Sequence, residues 1–245
     1  MAFCTMQFFA NSIQKASSMN LLIPERPGPW ATLYLLHGLS DDHTMWQRRT
    51  SIERYVEGTR LLVVMPDGHR NFYVNDPRPG GMAYEDHIVR DVRGFVERTF
   101  PVVRSRRGRA IAGLSMGGYG AMMLGLKHAG LFSVISAHSG AFGLLHMGDR
   151  RPQFADLLAS LSKTKYDCAS LARALKRSGR KVAIRFDCGT DDGLIDRNRA
   201  LHAQMKKVHL AHEYAEYPGG HNWAYWDEHI RETLAFVKVN LKAKV

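Results

Sequence analysis

The stretch Ile111-Ala112-Gly113-Leu114-Ser115-Met116-Gly117-Gly118-Tyr119-Gly120-Ala121 decides the reading of this chain. It starts as a short apolar strand, passes through G-x-S-x-G and continues as a helix rich in Gly, Ala, Met and Leu that stops at Gly130. A strand, a tight turn carrying serine and a small-residue helix form the setting of a nucleophile elbow. The turn closes only if the positions flanking the serine lack bulk, and Gly113 and Gly117 meet that demand. Ser115 is then presented at the carboxyl end of its strand. A serine hydroxyl is a weak nucleophile alone, so it needs a base, and the base needs a carboxylate to orient it.

Downstream of the elbow the chain supplies both, in the order serine, acid, histidine. Cys188-Gly189-Thr190-Asp191-Asp192-Gly193 follows a strand-like run at 182–186, and either Asp191 or Asp192 can serve as the acid. Pro218-Gly219-Gly220-His221-Asn222-Trp223 follows a second run at 212–217 and offers His221 as the base. Taken singly these are an ordinary turn aspartate and one of twelve histidines. Together they fall at strand carboxyl ends, the edge where an open α/β sheet builds its site. The tetrahedral intermediate also needs preorganised N–H donors. The Met116 amide, next after the nucleophile, is one. The Leu39 amide, in Leu36-His37-Gly38-Leu39-Ser40 after an early strand, is the second, with His37 as an organiser of that loop.

Strand-like runs at 6–10, 19–23, 32–36, 61–65, 110–112, 134–137, 182–186 and 212–217 alternate with helical patterns at 84–99, 116–129, 201–208 and 227–241. This alternation predicts one α/β domain over 1–245, with a mostly parallel central sheet flanked by helices. The first two runs are placed as antiparallel edge strands. The irregular stretch at about 141–180 is expected to form a small cap or insertion over one end of the sheet.

Composition narrows the class further. With 245 residues, 45% apolar and 23% charged, the chain can bury a substantial core. No apolar run approaches the ~20 residues of a membrane span. The amino end lacks a basic region before its first apolar run, and three scattered cysteines (Cys4, Cys168, Cys188) make no C-x-x-C pair. A cytoplasmic protein is therefore expected, without metal or organic cofactor. The net charge of +11 raises nucleic acid as a partner, but no recognition motif accompanies it. Arg104, Arg106, Arg107 and Arg109 precede the strand that ends at Ser115, which puts them a strand length, roughly 17–20 Å, from the chemistry. They read as solvated surface. Among aromatic residues near the site elements, Tyr73, Phe142 and Trp223 are the candidates for a substrate pocket.

The motifs recur together in one known group. His37-Gly38-Leu39, Asp41-Asp42 and Trp46, the block Gly113–Ala121, the loop 189–192 and Gly220-His221 resemble the esterase D group of α/β-hydrolases. That group includes tributyrin-type carboxylesterases, S-formylglutathione hydrolases, feruloyl esterases and antigen 85 mycolyltransferases. The resemblance runs from the opening strands to the last helix and implies an α/β-hydrolase fold and serine carboxylesterase chemistry on a small-molecule ester. It implies that Asp192, at the last position of the group's G-T-x-D, is the triad acid, and that Trp46 buttresses the oxyanion loop. Glutathione-specific members carry a cysteine shortly after the Gly-Leu pair, where Ser40 and Asp41 stand here, so short acyl esters are preferred and the glutathione thioester is the runner-up. Feruloyl esters and acyl transfer rank lower, and the sequence leaves a homo-oligomer open.

Overall fold

The computed structural model describes residues 1–146 and 152–243. The chain opens with β1 (Ala2–Ala10) and β2 (Lys15–Ile23), paired antiparallel, and continues into β3 (Ala31–Leu36). Two short helices, α1 (Met45–Arg49) and α2 (Ile52–Tyr55), lead to β4 (Leu61–Pro66). A longer helical segment then runs through α3 (Tyr84–Asp86), a π-helical stretch (His87–Val92) and α4 (Arg93–Thr99). β5 (Arg109–Leu114) leads directly into α5 (Met116–Lys127) and on to β6 (Val134–His138). Three helices follow: α6 (Ala155–Ser160), α7 (Lys163–Tyr166) and α8 (Cys168–Ser178). β7 (Ala183–Gly189), α9 (Ile195–Lys207), β8 (Glu213–Tyr217) and α10 (Trp223–Asn240) complete the order.

The eight strands form one sheet in the order β1-β2-β4-β3-β5-β6-β7-β8. β1 and β2 are its antiparallel edge, and every pairing from β4 through β8 is parallel. All eight expected strands are present, and the sheet is the mostly parallel one that the alternation predicts. Because side chains alternate across a strand, Tyr34 and Leu36 pack on one face while Leu33 and Leu35 pack on the other. Every residue of β3, β4 and β5 is buried, as a sheet covered on both sides requires. The first face packs against α4, α5, α8 and α9; the second packs against α1, α2 and α10.

Several helix bounds differ from the sequence reading. α9 begins at Ile195 and α10 at Trp223, each earlier than its apolar pattern indicated. α10 starts where it does because the Asn222 side chain accepts the Tyr225 N–H at 3.0 Å and caps the helix. In the 141–180 stretch, α8 is a regular amphipathic helix capped by Asp167, packed against α5 and α9 as the connection from β6 to β7. α6 contributes Leu158 to the wall of the site cavity. The part of the expected cap at 147–151 lies outside the described residues. Among the described residues no helix is long and apolar enough to cross a membrane.

Candidate active site

At the end of β5 the backbone turns through Ser115 with φ 53° and ψ −114°, a region costly for any residue with a side chain. The turn is held by the Ser115 N–H, which donates to the His138 carbonyl at 2.9 Å, and by the Ala141 N–H, which donates to the Ser115 carbonyl at 3.0 Å. The flanking glycines are there for space. A Cβ at 113 would lie 2.5 Å from the Gly117 carbonyl oxygen, and one at 117 would lie 2.4 Å from that of Leu36. The elbow therefore sits directly against the end of β3.

Two further strand ends bring their side chains to the same place. His221 Nε2 lies 2.9 Å from Ser115 Oγ, and His221 Nδ1 lies 2.8 Å from Asp192 Oδ2. Asp192 is buried, and its other oxygen accepts the Leu194 N–H at 2.8 Å. Burial works to raise the pKa of Asp192, but the His221 ring, the Leu194 N–H and the Ser139 hydroxyl outweigh it, and the net shift is downward. Its neighbour Asp191 is exposed and turns only its N–H inward, onto the Gly219 carbonyl at 2.9 Å. The two loops lie so close that a Cβ at Gly189 would come within 2.2 Å of the Gly219 oxygen.

The loop after β3 faces the elbow from the other side. Leu39 and Met116 both line the cavity above Ser115, and among the described residues neither amide has an internal acceptor. The loop is braced from behind. His37 Nε2 accepts the Gly68 N–H at 2.8 Å, and its Nδ1–H donates to the Gly38 carbonyl at 2.7 Å. Tyr73 Oη donates to the His37 carbonyl at 3.0 Å, and Trp46 Nε1 donates to that of Leu36 at 3.0 Å. Asp41 Oδ2 accepts the Gly38 N–H at 3.1 Å, and burial raises the Asp41 pKa. Among the described residues no group of three or more His, Cys, Asp or Glu side chains is placed to hold a metal.

This geometry coincides with a family assignment. The model of the Esterase family matches residues 10–237, nearly the whole chain. The chain belongs to the Esterase family. An acetyl esterase of Caldicellulosiruptor saccharolyticus is 27% identical, over 97% of this chain and 98% of that protein. The crystal structure of an S-formylglutathione hydrolase from Staphylococcus aureus superposes with a TM-score of 0.86 at 27% identity, covering 96% of this chain and 98% of that one. A ferulic acid esterase structure gives 0.83 at 26% identity, with 98% of both chains covered. The fold is that of the α/β-hydrolase esterases, and the chain is an ester-hydrolysing enzyme.

Of the aromatic residues expected in the substrate pocket of this esterase, only Trp223 lines the cavity. Tyr73 and Phe142 are corrections. Tyr73 has φ 58°, which turns its ring inward against Gly68 and Gly120, where it braces the His37 carbonyl. Phe142 is buried over Gly140 and packs edge-on against Phe186, with ring centroids 5.6 Å apart. Phe72, Leu158 and Trp226 line the cavity instead. The sequence reading also missed Ser139, a buried residue at φ 48° whose Oγ accepts the Trp226 Nε1–H at 3.2 Å. The Trp226 ring meets the His221 ring edge-on at 4.9 Å, so Ser139 acts on His221 through Trp226 and on Asp192 through its own hydroxyl. No motif marks Ser139; its role follows from the close approach of β6 to β7.

Proposed function

We propose that the chain is a serine carboxylesterase that hydrolyses short-chain acyl esters through an acyl-enzyme. The observation that carries this is the relay of 2.9 Å and 2.8 Å from Ser115 through His221 to Asp192. Ser115 Oγ attacks the ester carbonyl as His221 Nε2 takes its proton. The Leu39 and Met116 N–H groups donate to the oxyanion of the tetrahedral intermediate. The imidazolium, steadied by Asp192, then protonates the departing alkoxide, and the acyl group stays on Ser115. Water attacks that ester, gives its proton to the same imidazole, and releases the acid. None of these steps calls on a cofactor or metal.

Short acyl groups fit a cavity of about 660 Å³ that is partly open to solvent. Each further methylene adds only about 0.8 kcal/mol once buried, and nothing once it projects into water. The acetyl esterase relative, alike over nearly its full length, supports the same class. A second reading, thioester hydrolysis of S-formylglutathione, draws support from the Staphylococcus aureus neighbour. Ser40 and Asp41, in place of the cysteine expected there, weigh against it.

Ser115→Ala tests the mechanism. It is expected to lower kcat on 4-nitrophenyl butyrate by at least about 10³-fold and abolish labelling by a fluorophosphonate probe, with little change in Tm. Labelling that persists in the variant would exclude Ser115 as nucleophile. A parallel panel of acetate, butyrate, octanoate, feruloyl and S-formylglutathione substrates ranks the two readings by kcat/KM.

A further inference from the structure

We propose that Arg49 and Arg70 make the active-site cavity selective for esters that carry a carboxylate away from the scissile bond. This rests on the serine-esterase reading and names its substrate class. Both arginines line the same cavity as Ser115 and His221. Among the described residues neither has a carboxylate within salt-bridge distance, whereas Arg109, Arg185 and Arg199 are each paired with one. Arg70 is placed rather than loose: its guanidinium lies 5.5 Å from the Phe154 ring centroid, and Phe154 packs edge-on against the cavity residue Phe72 at 5.0 Å. Arg49 ends α1, the helix whose Trp46 packs edge-on against Trp223 at 5.4 Å.

The anionic groups on the same wall have partners of their own. Asp192 holds His221 and the Leu194 N–H, and Asp41 turns its Oδ2 to the Gly38 N–H. The cavity therefore presents two guanidinium groups outside any ion pair among the described residues, facing one carboxylate, Asp41, whose Oδ1 is free and on which the Arg49 charge acts. Arg49 and Arg70 are both exposed at the cavity rim. Guanidinium binds carboxylate through paired N–H donors, and two like charges on one concave wall raise the local concentration of the opposite charge. The basic cluster at Arg104–Arg109 has no part in this: it sits at the amino end of β5, with Arg106 bound to the Ala129 carbonyl and Arg109 to Glu97.

The test compares matched ester pairs by proton release: methyl hexanoate against monomethyl adipate for charge on the acyl side, and phenyl butyrate against 4-butyryloxybenzoate for charge on the alcohol side. At about 20 mM salt the wild type should favour the charged member of at least one pair by about tenfold in kcat/KM, and about 500 mM salt should cut that preference severalfold. R49Q and R70Q should each lower the charged-to-neutral ratio, mainly through KM, and the double variant should bring it near one. A wild-type ratio near one on both pairs, or a ratio that survives the double variant, overturns the proposal. Turnover of the neutral esters with no charge preference sinks this inference alone. Absence of any turnover together with absence of fluorophosphonate labelling sinks the serine-esterase reading beneath it.

Discussion

Asp191 and Asp192 are chemically identical neighbours in one loop, and only their backbone setting separates them. Asp192 is turned under the imidazole, while Asp191 points to solvent. Asp192→Asn keeps the shape but removes the charge that steadies the imidazolium and fixes the tautomer, so kcat should fall by about 10³–10⁴-fold. Asp191→Asn should stay within about threefold of wild type. Steady-state kinetics on one ester decide it; equal losses would contradict the assignment. The side chains of the relay were legible in the sequence because the chemistry admits few residue types and the fold admits one order. Tyr73 was not legible in that way. A tyrosine after a strand looks the same whether its ring faces a pocket or, as here, turns inward at positive φ to hold a carbonyl. Local spacing carries no record of that choice.

The element that follows Ser115, α5, is buried on every side, so it has no polar face and no amphipathic period to read. Its glycines do the work of close approach. A Cβ at Gly125 would lie 2.3 Å from Ile135 Cγ1 and 2.5 Å from its Cδ1, on a central strand with no room to yield. Gly125→Ala is therefore expected to cost about 1–3 kcal/mol through overpacking, despite the better helix propensity of alanine. For a chain of this size that corresponds to a Tm lower by about 2–6 °C. Gly130, past the end of the same helix, has nothing within 4 Å, so Gly130→Ala should leave Tm unchanged or slightly raised. Calorimetry on the two variants checks the contrast, and a neutral Gly125→Ala would mean that α5 can shift off β6. Strands were read well because a buried parallel strand is a short apolar run bounded by polar residues. Helix starts were read poorly, since the first turn of α9 is polar after Ile195, and the Asn222 cap that starts α10 hides inside a glycine-rich loop.

Across the whole molecule the sheet's carboxyl edge is stiffened by buried polar groups outside the Ser115–His221–Asp192 contacts. Asp187 on β7 holds His138 Nδ1 at 2.9 Å, accepts the Tyr225 hydroxyl at 2.9 Å and pairs with Arg185, while Thr233 Oγ1 on α10 lies 2.9 Å from His138 Nε2. Burial opposes the Asp187 charge, but His138 and Arg185 overcome it and hold its pKa below the ordinary value. Glu85 is likewise lowered against its burial, by His128 and Lys127, and Asp192 by His221. A carboxylate whose folded pKa is depressed contributes stability that is complete above its unfolded pKa and is lost as pH falls through the folded one. Those losses begin near the unfolded carboxylate range of about 4. His87 acts earlier: burial lowers its pKa, so below about 6.5 the unfolded chain takes up a proton that the folded one resists. The +11 net charge adds self-repulsion as carboxylates are neutralised. The urea midpoint should thus decline gently below about pH 6.5 and steeply below about pH 4. Asp187→Asn leaves Arg185 buried without its anion, which should cost about 3–5 kcal/mol at pH 7. The same variant should have a shallower acid limb, because one of its titrating contributions is already gone. Midpoints measured from pH 3 to 8 for both proteins test this, and parallel acid limbs would show that Asp187 does not govern acid stability.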